Sequence, residues 1–127
     1  MNTKILMTTS AVILGITGVV LSFFPQEASG YLGLEKSNTI ILQIAGALYF
    51  GFAMLNWTAK ANLIGGIYSK PVAISNFAHF LIGGLALAKF AFQHAGLLYI
   101  WGGMSIYLIF AILFGYVSFN NPFKRKY

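Results

Sequence analysis

Apolar residues in this chain come in four long runs, separated by short polar stretches. The runs cover about residues 5–24, 38–58, 72–92 and 97–119. A helix needs roughly 20 apolar residues to cross a hydrocarbon core of about 30 Å. Each run is long enough, so the pattern predicts four membrane-spanning helices. Pro25, Pro71 and Pro122 all fall outside the runs, where a helix can begin or end without losing an internal hydrogen bond. The connections are short: 25–37, 59–71 and little more than 93–96. Short connections make consecutive helices antiparallel neighbours. The expected fold is therefore all-α, an integral-membrane four-helix antiparallel bundle, with residues 1–127 forming a single transmembrane domain.

Helices in lipid associate by close packing, so small residues mark the contact faces. The first run has Ala11, Gly15, Gly18 and Ser22 on one stripe. The second offers Ala47 and Gly51, the third Gly83, Gly84 and Ala88, the fourth Ala111, Gly115 and Ser118. Packing therefore accounts for most of the 14 glycines. A faint internal echo, LIGG at 63–66 and 81–84, carries no argument by itself.

Composition agrees with the pattern. The chain is 58% hydrophobic and 8% charged, against about a quarter charged in soluble domains. Its net charge of +6 would suit nucleic acid, but the placement of the charges suits membrane topology better, and no nucleic-acid partner is expected. Lys4, Lys60, Lys70, Lys124, Arg125 and Lys126 flank one side with no acid among them. Glu27, Glu35, Lys36 and Lys89 share the other side and cancel. The positive-inside rule then puts both termini and the second connection on the cytoplasmic side. Tyr31, Tyr99 and Trp101 form the outer aromatic belt, Trp57, Tyr68 and Tyr116 the inner one. The first run is too long for a signal-peptide core of 7 to 15 residues, so it reads as an anchor.

Candidate chemistry concentrates in NFAHFLIGG, residues 76–84. Asn76 and His79 share a helix face in an otherwise apolar run. Matching depths across the second connection brings Asn56 level with Asn76. Thr9 and Tyr116 reach the same inner third. Thr9, Asn56, Asn76, His79 and Tyr116 are thus expected to converge. Two readings stand. The cluster is structural glue, with membrane hydrogen bonds averaging about 0.6 kcal/mol each. Alternatively it lines a cytoplasm-facing pocket with His79 as ligand anchor or proton carrier. Lys60 and Lys70 are expected to meet lipid headgroups.

Other chemistry is poorly supported. There is no cysteine, hence no disulfide or thiol nucleophile. His79 and His94 lie about 22 Å apart along a helix, too far to share a metal. Glu27 and Glu35, the only acids, belong to the outer connection rather than to a pocket that could pair them for acid–base work. Neither a catalytic residue, a metal site nor a cofactor is expected. Small four-helix multidrug exporters are built around a glutamate in the first span, and this first span has none.

The layout resembles the DoxX-like group of small bacterial four-helix membrane proteins. The resemblance rests on the N-in, C-in arrangement, on Phe23-Phe24-Pro25 closing the first span, and on GALYFGFAMLNW in the second. The text IGGIYSKPVAISNFAHF is also similar to uncharacterised bacterial membrane proteins. The group implies no uniform activity. Some members resemble subunits tied to respiratory or thiol-linked redox systems. The lack of cysteine counts against a thiol role here, and no catalytic residue carries over. The expected function is a non-enzymatic accessory or structural membrane component. The candidate partners are the bilayer, a larger membrane complex and a second copy of the chain. The alternative is a binding module or carrier for a lipid, quinone or other apolar molecule. A channel or transporter comes third.

Overall fold

The computed structural model describes residues 2–34 and 39–120. Among them are five α-helices: α1 (Thr3–Phe23), α2 (Pro25–Tyr31), α3 (Thr39–Ala59), α4 (Lys70–Gln93) and α5 (Leu98–Phe119). A 3-10 turn, Ile67–Ser69, leads into α4. Four of the helices are long and apolar enough to cross a membrane. Their ends lie within two residues of the expected spans. Asn38, Glu35, Lys36, Pro122, Lys124, Arg125 and Lys126, several of which carried the charge argument, lie outside the described residues.

The chain divides into two compact units, Met1–Ala61 and Asn62–Tyr127. In each, two long helices run antiparallel.

The first unit pairs α1 with α3. Asn2 caps α1, its Oδ1 accepting from the backbone N–H of Lys4 and Ile5 at 3.1 and 3.4 Å. Pro25 ends α1 and starts α2. It pushes Phe24 out of helical backbone (φ −126°, ψ 50°), and it stands at the first position of α2, where no N–H is needed. The short helix α2 was not expected, because residues 25–37 read as loop. It closes with a Schellman motif. Gly33 supplies the left-handed backbone (φ +69°), Leu34 N–H donates to Ser29 C=O at 3.0 Å, and Gly33 N–H to Gly30 C=O at 3.2 Å. The buried Ser29 hydroxyl also donates to Leu34 C=O.

The α1–α3 seam is made by glycine. A Cβ on Gly18 would stand 2.7 Å from the Phe50 nitrogen and 2.9 Å from the Gly46 oxygen. One on Gly46 would stand 2.8 Å from the Gly18 oxygen and collide with Ser22. Backbone therefore meets backbone here. The expected stripe on α1 does face α3, but α3 answers with Gly46 and Ala53, while Ala47 and Gly51 are exposed. Gly15 meets Ala53 at an ordinary 3.6 Å.

The second unit pairs α4 with α5 by a different device, a column of aromatic rings. Phe80, fully buried, stacks on Phe110 at 4.9 Å and Phe114 at 5.6 Å between centroids. Tyr107 meets Phe80 edge-on at 5.0 Å. The glycines serve these rings: Gly83 receives the Tyr107 ring, Gly84 the Leu108 side chain and Gly115 the Phe77 ring. The turn between the helices is clamped by Trp101 Nε1–H donating to Ala95 C=O at 3.2 Å, and by His94 stacked on Phe90 at 4.2 Å. Before α4, Gly65 takes a backbone that L residues avoid (φ +101°), and a Cβ there would stand 2.8 Å from the Val117 oxygen. Gly65 is thus required twice over, by conformation and by space.

Hydroxyls along the long helices return to their own backbone. Thr8, Thr9, Thr17, Ser105 and Ser118 each donate to the carbonyl four residues earlier. Lipid offers no partner, so an internal one is the cheap solution.

Candidate polar sites within the two hairpins

The five residues expected to converge are divided between the units. Thr9 and Asn56 belong to the first; Asn76, His79 and Tyr116 belong to the second. Each unit has its own arrangement.

In the first, Asn56 is fully buried and donates from Nδ2 to Ser10 Oγ at 3.0 Å. Ser10, also fully buried, donates onward to the Met7 carbonyl at 3.0 Å. This is a directed chain: amide to hydroxyl to backbone. Thr9 has no part in it. It is exposed, and its hydroxyl donates to Ile5 C=O. One helical step rotates a side chain by about 100°, which is the whole distance between the buried and the exposed face. The signal was available. Ser10, Leu14 and Gly18 are spaced by four, and all three are buried.

In the second unit, Asn76 is fully buried, and its Nδ2 donates to Val72 C=O at 2.9 Å. His79 is half-buried. Its Nε2 lies 3.3 Å from Tyr107 Oη, and the two rings stand 5.5 Å apart. The phenol and the imidazole share one proton across this contact, whichever tautomer His79 adopts. Tyr107 was not part of the expected cluster. Its ring crosses α4 at Gly83, and the missing side chain there lets Tyr107 reach back one turn to His79. Tyr116 is 46% exposed. Among the described residues, no buried side-chain nitrogen or oxygen lacks a hydrogen-bond partner.

The basic residues sit at helix ends. Lys60 Nζ stands 3.0 Å above the centre of the Trp57 ring, a cation–π contact one turn apart on the chain. Lys70 is exposed at the first position of α4. Beside it the second connection forms an open groove of about 480 Å3, lined by Asn62, Leu63, Gly66, Ile67, Tyr68 and Ser69. Tyr68 is 99% exposed. Glu27 occupies the first turn of α2, where the helix dipole favours a carboxylate; Glu35 lies outside the described residues. Among the described residues, no three His, Asp or Glu side chains group closely enough to hold a metal.

No protein-family model matches the chain, and no curated protein or solved structure matches it either.

Proposed function

We propose that this is a multi-pass protein of a bacterial cytoplasmic membrane, with both termini inside. Its two hairpins would join as one four-helix transmembrane domain. It acts there as a non-enzymatic accessory or structural component, alongside a larger membrane complex or a second copy of itself. The resemblance to the DoxX-like group belongs to this reading. The observation that carries it is the use made of the buried polar groups. Asn56 and Ser10 fasten α1 to α3, and Asn76 is tied to its own helix. The first of these, which crosses between two apolar helices, fixes their register. The basic, acid-free N-terminal ends of α1 and α4, with Lys4 and Lys70, support the sidedness.

The sidedness is tested by labelling. Because the chain has no cysteine, each introduced thiol is unique. In intact inverted vesicles an impermeant maleimide is expected to modify Tyr68→Cys, and to reach Gly30→Cys only after lysis. The reverse pattern overturns the orientation. Equal labelling of both before lysis overturns the membrane-spanning arrangement.

A second reading, a binding module or carrier for a quinone, lipid or other apolar molecule, draws on one observation. His79 is only half-buried, and its Nε2 lies 3.3 Å from the Tyr107 hydroxyl, a polar pair at the edge of the packed core. Native mass spectrometry in mild detergent separates the two. If His79 is structural, His79→Leu lowers stability by about 0.6 kcal/mol and by no more than roughly 2, and the mass of the native protein shows no adduct sensitive to it. A defined adduct lost in His79→Leu, with helix content kept, would establish the binding reading instead.

A further inference from the structure

On the first hairpin, a groove of about 240 Å3 runs between α1 and α3. Val12 and Gly15 line it from α1, and Phe50, Ala53, Met54 and Trp57 from α3. The groove exists because Gly15 and Ala53 are small where they meet, while Val12, Phe50 and Met54 stand up as its rims. Those rims are exposed by 49%, 45% and 47%. From Phe50 to Trp57 it is about 10 Å long, roughly a third of the hydrocarbon thickness. It is open along its length and carries no charged side chain.

One end of the groove differs from the rest. Trp57 closes it, and the Lys60 ammonium sits 3.0 Å above the indole ring. Antiparallel pairing brings Lys4 to the same end of the hairpin, since Ser10 of α1 meets Asn56 of α3. Among the described residues of this unit, the only acid is Glu27, on α2 at the opposite end of the long helices. An apolar trough thus ends at an aromatic belt residue and a positioned cation. Two requirements follow for an occupant: a flexible hydrocarbon chain, and an anionic group at its head.

We propose that this groove is a site for one anionic phospholipid. An acyl chain lies between Val12 and Met54, and the phosphate pairs with the Lys60 ammonium. The Trp57 ring holds that ammonium in place, so less side-chain freedom is lost when the phosphate arrives. The proposal makes definite the headgroup role expected of Lys60. It rests on the membrane reading, but on neither the sidedness nor the accessory role.

The test uses the full-length protein in vesicles of equal phosphatidylglycerol and phosphatidylcholine. Flotation is scored first, then extraction in mild detergent and native mass spectrometry of the retained lipid. The wild type is expected to float and to retain phosphatidylglycerol over phosphatidylcholine by about fivefold or more, the worth of one lysine near an anionic surface. Lys60→Gln should bring the ratio close to one. Val12→Phe fills the groove from an exposed rim and should remove retention of both lipids. Gly15→Ala, whose new methyl meets Ala53 at ordinary contact distance, should reduce it without disturbing the hairpin. Failure to float overturns the membrane reading and the site together. Flotation with no preference in the wild type, a preference kept in Lys60→Gln, or retention unchanged in both Val12→Phe and Gly15→Ala overturns the site alone.

Discussion

Gly18→Ala and Gly46→Ala are each expected to destabilise the protein by about 1–3 kcal/mol, the usual cost of forcing extra volume into a closed contact. The reason is what the new methyl would meet. At Gly18 it is the Phe50 nitrogen and the Gly46 oxygen; at Gly46 it is the Gly18 oxygen and Ser22. Backbone cannot swing aside as a side chain can, so relief requires the helices to separate along the seam. Gly51→Ala is the matched comparison. It stands on α3, as Gly46 does, with nothing within 4 Å, and it should be neutral or gain up to about 1 kcal/mol from helix propensity. Unfolding in mixed micelles, followed by circular dichroism, measures all three. If Gly18→Ala proved as stable as Gly51→Ala, the close approach of α1 and α3 would be wrong.

Asn56→Asp should cost as much or more, about 2.5–3.5 kcal/mol on membrane-insertion scales. The side chain is fully buried, so a carboxylate there meets no water. It would also meet the wrong partner. Ser10 accepts from Asn56 while giving its own proton to the Met7 carbonyl. A carboxylate needs a donor, and Ser10 could supply one only by abandoning Met7. Ser10→Ala is milder, and the coupling energy between Ser10→Ala and Asn56→Ala should lie between about 0.6 and 1.7 kcal/mol. A coupling of zero in the double-mutant cycle would remove the hydrogen bond from the account.

The spans were legible in the sequence because bilayer thickness sets a length that composition alone can match. Helix α2 was not, since seven residues carry no such signature; only Pro25 and Gly33 hinted at its ends. The α1 stripe was read correctly, but its partner was not. Ala47 and Gly51 look as good as Gly46 and Ala53 on paper, and the choice between them is a rotation of α3 that spacing does not fix. The same rotation separates Thr9 from Ser10. Tyr107 was missed for a different reason. An aromatic side chain reaches far from its own backbone level, so matching Cα heights undercounts its partners.

The two seams also imply different histories of change. At Gly18 and Gly46 the alphabet has a single letter, because every other residue adds an atom where backbone already lies. Across relatives of this chain those two columns should be frozen. The rings of α4 and α5 meet side chain to side chain, and a smaller group at Phe110 can be answered by a larger one at Phe114 or Phe80. Those columns should drift in compensating pairs. One half of the protein would then carry its ancestry in invariant positions, and the other in correlated ones.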